Sequence, residues 1–232
     1  MKLKLFICNR LQENCYVLSS GADCIIVDPG FEDSAELQRL YACLESEGIS
    51  PSAILLTHGH FDHVAGTVRI LEHFPGIPVF MHPADAMLLQ KEDALFAKGL
   101  GITDFDASFS WKPVAEGDVV SSFGFKAIAT PGHTPGSLCW YNEGEGILFS
   151  GDTLFAGSIG RTDFPYSDYD SEIRSLMEKI MLLPGSTDVF PGHGGATTIQ
   201  RERDTNPFLE PFNEPEESFD EDLPGIEIHP FI

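Results

Sequence analysis

The sequence predicts a layered α/β protein built on mixed β-sheets. Short β-rich runs bounded by Gly, Pro, Asn or Asp alternate with amphipathic helical patterns. The early runs follow one another as hairpins, with no regular βαβ rhythm. The 232 residues can fill one good core with a small annex, but not two full domains.

Taken in order, the first strand is expected at Leu3–Cys8. Its apolar stretch is too short for a signal peptide and runs into Asn9-Arg10-Leu11-Gln12-Glu13-Asn14 without a small-residue cleavage site. Strands follow at Cys15–Ser19 and Cys24–Val27. A capping-box-like pair, Asp33 and Glu36, then opens a helix with Leu37, Leu40, Tyr41 and Leu44 on one face, and Gly48 ends it. A strand at Ala53–Leu56, a helix over 64–74, a strand at Val79–Met81 and a helix over 83–98 come next. Residues 99–116 read as a long irregular loop, of the kind that often borders a binding site. Four strands follow, at Val119–Ser121, Phe125–Ala129, Ser137–Tyr141 and Ile147–Phe149. A second clear helix begins near Asp170, carries Ile173, Leu176, Met177 and Ile180 on one face, and stops at Pro184. Thr187–Phe190 is the last expected strand. Residues 1–210 form the expected catalytic domain, and 211–232 an acidic, Pro-containing tail.

Charge excludes several function classes. Fourteen Lys and Arg face 36 Asp and Glu, for a formal net charge of −22. A nucleic-acid or anionic-membrane partner needs clustered cations that this chain lacks. Residues 211–232 carry seven of the carboxylates and no Lys or Arg, leaving 29 acids against 14 bases upstream. No apolar run approaches the roughly 18 residues of a membrane span. The five cysteines (Cys8, Cys15, Cys24, Cys43, Cys139) are odd in number and form no CxxC. They read as small buried hydrophobes in a reducing compartment, so the cytoplasm is the expected location.

The histidines carry the chemistry. Three of eight crowd into Thr57-His58-Gly59-His60-Phe61-Asp62-His63, directly after the apolar run Ala53–Leu56. His133 ends Thr130-Pro131-Gly132-His133 after Phe125–Ala129, and His193 ends Phe190-Pro191-Gly192-His193 after Thr187–Val189. Asp152 ends Ser150-Gly151-Asp152 after a fourth apolar strand. Pro-Gly before two of the histidines fits a type II turn, with Gly supplying the positive φ. Ligands at like ends of neighbouring strands converge on one sheet edge. Five His and two Asp exceed what one tetrahedral zinc takes. They suit two divalent metal ions with three protein ligands apiece, less one carboxylate that bridges. No thiolate joins them, so zinc is expected first, with iron or manganese as alternatives. His73, His82 and His229 read as ordinary surface or core histidines.

These motifs resemble the metallo-β-lactamase superfamily, over about residues 1–210 and including Asn14-Cys15-Tyr16 and Val27-Asp28-Pro29-Gly30. The resemblance implies a four-layer αββα sandwich of two mixed β-sheets with a metal site at one edge. It implies that His58, His60 and His133 hold the first metal, Asp62, His63 and His193 the second, and that Asp152 bridges them. Asp28 matches a position that orients a metal-bound His, with a plain turn-initiating Asp as the alternative. Gly151-Asp152-Thr153-Leu154-Phe155, Gly160-Arg161-Thr162-Asp163 and the run from Pro191 to Phe208 resemble the glyoxalase II (hydroxyacylglutathione hydrolase) branch, in its short, single-domain bacterial form. Full-length glyoxalase II ends in a helical domain with basic and aromatic residues that bind glutathione. Here an acidic strip of about 20 residues stands in that place.

The expected function is therefore hydrolysis of a small thioester, of the S-lactoylglutathione type, by a metal-bound hydroxide generated at neutral pH. Asp62 and Asp152 would accept its hydrogen bond or proton. The motif offers no general acid, which suits a thiolate leaving group with a pKa of about 8.5. The partner is then a small-molecule thioester, a glutathione conjugate being one form. Lys91, Lys98 and Arg161 are the cations expected near the mouth, with an Arg161–Asp163 ion pair as the alternative for Arg161. The rival is a persulfide dioxygenase on the same fold, with one iron held by His58, His133 and Asp152. A β-lactamase is disfavoured because many place Cys where Asp152 stands, and a nuclease because the chain lacks a basic surface.

Overall fold

In the computed structural model, which describes residues 1–89 and 106–210, two six-stranded sheets face each other. The first runs β1 (Lys2–Cys8), β2 (Glu13–Ser20), β3 (Asp23–Val27), β4 (Ser50–Leu55), β5 (Val79–Met81), β6 (Lys112–Pro113), in that spatial order. Its first three strands are antiparallel and the rest parallel. The second contains β7 (Val119–Val120), β8 (Phe125–Ala129), β9 (Leu138–Asn142), β10 (Ile147–Gly151), β13 (Asp188–Pro191) and β14 (Thr197–Thr198). Only β10 and β13 pair in parallel there. A small antiparallel hairpin, β11 (Leu154–Phe155) with β12 (Ser158–Ile159), follows β10 directly.

Period-two alternation builds the layers. Successive residues of a strand point to opposite faces, so Val17, Ile26 and Ile54 enter an outer core while Leu18, Ile25 and Leu55 enter the core between the sheets. β9 splits in the same way, with Leu138 and Trp140 inward, Cys139 and Tyr141 outward. The outer cores need lids, and amphipathic helices supply them. Helix α1 (Ser34–Glu47) covers the first sheet with Leu37, Leu40 and Leu44, and α3 (Thr67–His73) adds Ile70. Helices α4 (Tyr169–Glu178) and α5 (Ile199–Thr205) cover the second with Leu176 and Ile199. The result is the αββα sandwich. The sheets are tied where β4 ends: Trp140 Nε1 donates to the Leu56 carbonyl at 3.1 Å, and Leu138 N to the Thr57 carbonyl at 2.7 Å. Residue 58 therefore leaves the sheet from a pinned point.

Several expectations are corrected. The helix over 64–74 is two pieces, α2 (Phe61–Val64) and α3, separated at Gly66. Gly66 N donates to the Pro29 carbonyl at 2.8 Å, and a Cβ there would lie 2.7 Å from that oxygen, so the close approach requires glycine and breaks the helix. Helix α4 ends at Glu178 rather than near Pro184, because Lys179 leaves helical geometry and Ile180–Leu182 form a 3₁₀ turn. Asp33 caps α1 as expected, its Oδ1 accepting from Glu36 N at 2.8 Å. Glu36 does not close a capping box; it accepts from Glu32 N at 2.7 Å and Asn9 N at 2.8 Å. Within 99–116, Lys112–Pro113 form an edge strand on β5. Pro83–Met87 are a 3₁₀ turn, and residues 90–98, with Lys91 and Lys98, lie outside the described residues, as do 99–105 and the tail over 211–232. Strands β11, β12 and β14 and helix α5 were not foreseen. The cysteines are free, four of them buried. Among the described residues, no helix is long and apolar enough to cross a membrane.

Candidate metal centre

Four strands deliver the seven expected donors to one edge. β4 leads into His58, His60, Asp62 and His63, β8 into His133, β10 into Asp152 and β13 into His193. All seven come together, and His58, His63 and His133 are at most 2% exposed. The two Pro-Gly steps differ. Gly132 takes the expected positive φ, at 157, though not the value of a type II turn, and Gly192 does not take one. Both are also needed for close approach. A Cβ on Gly192 would lie 2.3 Å from Asp152 Oδ1 and 2.6 Å from His63 Cε1, and one on Gly132 would lie 2.4 Å from Glu172 Cα.

Three imidazoles form a first trio. His58 Nε2 and His133 Nε2 each lie 3.0 Å from His60 Nδ1. For all three nitrogens to offer lone pairs to one ion, the ring protons must sit on the opposite nitrogens. Each opposite nitrogen has an acceptor. His58 Nδ1 is 3.0 Å from Thr57 Oγ1, which itself donates to Asp28 Oδ2 at 2.6 Å. His133 Nδ1 is 2.8 Å from the Arg161 carbonyl, and His60 Nε2 is 2.7 Å from the Tyr166 hydroxyl.

Asp62, His63 and His193 form a second trio, whose donor atoms lie within 4.8 Å of one another. His63 Nε2 is 3.4 Å from Asp152 Oδ1 and 3.8 Å from Asp62 Oδ2; His193 Nε2 is 3.3 Å from Asp62 Oδ2. Asp152 Oδ2 reaches both sets, at 3.7 Å from His193 Nε2 and 3.6 Å from His133 Nε2. The outward nitrogens are again occupied: His63 Nδ1 donates to Asp28 Oδ2 at 3.0 Å and His193 Nδ1 to the Leu11 carbonyl at 3.2 Å. Asp28 meets both of its expected descriptions. It orients His63 and accepts from Thr57 N at 2.7 Å, while its backbone turns at φ 49.

Two orphaned atoms test the fit to metal. His63 Nε2 and Asp152 Oδ1 are buried and have no hydrogen-bond partner among the described residues, yet both point into the centre. Buried polar atoms are rarely left so. Nitrogen and carboxylate donors in two sets of three, with one carboxylate between, fit a pair of divalent ions.

The two trios differ electrostatically. Burial, and then the neighbouring imidazoles, hold His58 well below the usual imidazole range; burial takes His60 down to about 3 and also lowers His133. Burial would lower His63 and His193 as well, but the carboxylates of Asp152 and Asp62 outweigh it and raise both. Burial opposes ionisation of Asp62 and Asp152, and the adjacent imidazoles overcome it, leaving both below the usual carboxylate range.

Structure adds residues that the motifs did not flag. Glu13, fully buried, lies beside Asp28 and His63, and neither of its carboxylate oxygens has a partner among the described residues; burial pushes it well above the usual range. Nothing in the sequence distinguishes it. Buried Asp85 accepts from Gly59 N at 2.9 Å, Thr134 Oγ1 at 2.8 Å and Gly136 N at 2.6 Å, joining the loops that carry His58 and His133. Burial takes its pKa up to about 6. Glu172 accepts from His133 N at 2.8 Å and is pushed by burial to about 8. It stands one turn before Leu176, on the face α4 buries, and that spacing was its available signal. Asn14 and Tyr16 explain their motif: Asn14 Nδ2 and the Tyr16 hydroxyl donate to the Pro191 carbonyl at 3.0 and 2.8 Å, holding the loop that ends in His193.

The centre opens into a cavity of about 410 Å³, walled by Leu11, Phe155, Ile159 and Phe164. Arg161 lies at its rim. Its guanidinium stacks 4.4 Å over Phe164 and pairs with Asp163 through two bonds of 2.7 Å, the ion pair named as its alternative.

Residues 8–193 match the family described as the metallo-beta-lactamase superfamily. The chain is 33% identical over 214 residues to "Hydroxyacylglutathione hydrolase GloC" of Haemophilus influenzae, covering 90% of this chain and 98% of that protein. Among solved structures it resembles BLEG-1 B3 metallo-beta-lactamase (36% identity, TM-score 0.81, 90% of this chain and 99% of that one). It also resembles TTHA1623 in a di-iron-bound form (38%, TM-score 0.79, 89% and 100%).

Proposed function

Because the chain belongs to the metallo-β-lactamase superfamily, we propose that its seven-donor edge holds two divalent ions and that the protein hydrolyses a small thioester of the S-lactoylglutathione type. The observation that carries this reading is Asp152, whose two oxygens reach both trios. When bound, two such ions supply Lewis acidity that lowers the pKa of water and polarises a carbonyl. Zinc suits the donor set, and the di-iron relative makes iron equally compatible.

The remaining work falls to the chain's own side chains. Asp62 and Asp152, both held ionised, take the hydrogen bond or proton of the attacking water. The outward partners Thr57, Tyr166, Arg161, Asp28 and Leu11 keep the five imidazoles aimed inward. The apolar walls would shield a bound acyl group from bulk water. Among the described residues lining the cavity, the titratable ones are Arg161 and five of the donors themselves. A leaving group that needs no protonation fits that inventory, and a thiolate with a pKa of about 8.5 is one. The likeness to a named hydroxyacylglutathione hydrolase supports glutathione as the thiol.

The test pairs two assays on the metal-loaded protein: S-lactoylglutathione hydrolysis, and oxygen uptake with glutathione persulfide. Thioester turnover without oxygen uptake is expected. Oxygen uptake without thioester turnover would replace the hydrolase by a dioxygenase.

A further inference from the structure

Of the five imidazoles, His60 has the least secure orientation from its own surroundings. It caps the short α2 with extended backbone (φ −64, ψ 144) and makes no side-chain cap bond. His58 is oriented by Thr57, itself locked to Asp28, and His133 by a backbone carbonyl. A neutral imidazole carries its proton on either nitrogen, and the bond made by the outer one selects which. For His60 the outer bond comes from a side chain 106 residues away, the hydroxyl of Tyr166 at 2.7 Å.

We infer that Tyr166 is a positioning residue for the metal centre: its hydroxyl accepts the Nε2 proton of His60, leaving Nδ1 unprotonated and aimed at the point shared with His58 and His133. The inference rests on the metal-binding part of the proposed function. Tyr166 is built to hold still. Its ring stacks on Phe164 (centroids 5.5 Å apart, planes 10° apart), and Phe164 in turn lies 5.2 Å from the His60 ring and under the Arg161 guanidinium. The next residues anchor the same segment to the His133 loop, Ser167 Oγ donating to the His133 carbonyl at 2.6 Å and Asp168 N to the Gly132 carbonyl at 2.9 Å. One segment, 161–168, thus supplies the outer acceptors of two of the three imidazoles. Removing the Tyr166 hydroxyl leaves the stack in place and frees the His60 ring to change tautomer or rotate. The second trio has no bond to this segment among those described, so the effect belongs to one ion.

Tyr166→Phe tests this in the full chain, stripped of metal and titrated with zinc against a chromophoric chelator. Wild type is expected to take up two equivalents. The variant is expected to bind one of them about 10- to 100-fold more weakly, the usual cost of an outer hydrogen bond, and the other unchanged. Long-range proton–nitrogen NMR of the zinc-loaded protein reads His60 directly: a retained Nε2 proton in wild type, lost or exchange-broadened in the variant. Tyr169→Phe removes a hydroxyl from a half-exposed ring nearby and should move neither readout. Two equivalents of wild-type affinity with an unaltered His60 signal would overturn the inference. So would equal weakening of both equivalents together with a lower Tm, which marks a purely structural role. Failure of wild type itself to take up two zinc ions would overturn the metal reading, and the inference with it.

Discussion

The two donor trios sit side by side yet solve different problems. His58, His60 and His133 are three neutral rings whose geometry is fixed by outer bonds and whose protonation is suppressed by burial. Asp62, His63 and His193 carry charge of their own, and carboxylates make their imidazoles better bases. The first set is prepared by position, the second by charge. Asp152 belongs to both, which makes the edge one centre rather than two.

The largest expected effect breaks that sharing. Asp152→Ala should weaken both metal equivalents and abolish hydrolysis, whereas Asp62→Ala should empty one site only. Zinc titration of the two variants separates them, and full activity in Asp62→Ala would mean that one ion suffices. Next comes Asp28, which orients His63 directly and His58 through Thr57. Asp28→Asn should weaken the equivalent held by His63 about 10- to 100-fold, by analogy with other outer-partner changes, and the His58 equivalent by less. Tyr166→Phe should weaken the His58 equivalent alone.

Acid should strip the trios in a set order, because metal binding must displace protons. His63 and His193 hold protons at pH values above the ordinary imidazole value of about 6.5. As pH falls into that region, protons compete there first, while the lowered His58, His60 and His133 remain available to a more acidic pH. Zinc occupancy followed by competition titration should therefore fall in two steps, the Asp62 set first. One step, or the reverse order, would break the comparison. The smallest effect concerns stability: Tyr16→Phe removes a buried bond to the Pro191 carbonyl and should cost about 1 kcal/mol in denaturant unfolding.

The candidate donors were legible because each closes a short motif. His58, His60 and His63 fall in one stretch after β4, and His133 and His193 end short motifs that follow apolar strands. The layers were legible through alternation, as in Val17 against Leu18 and Ile25 against Ile26. What sequence hid depends on distant backbone. The helix break at Gly66 is set by Pro29, and the roles of Asp85 and Glu172 by loops far along the chain. Tyr166 was invisible for the same reason, since its partner His60 is a long-range contact. The Pro-Gly steps were half legible, since Gly132 takes a positive φ and Gly192 does not, while both answer a close approach set by distant residues.

The central claim is that seven side chains from four strand ends hold a pair of ions. Its most direct test is the metal-to-protein ratio of the full chain after saturation with zinc and removal of loosely bound metal. Two ions per chain is the predicted ratio. A ratio of one, with Asp62, His63 and His193 unoccupied, would contradict it.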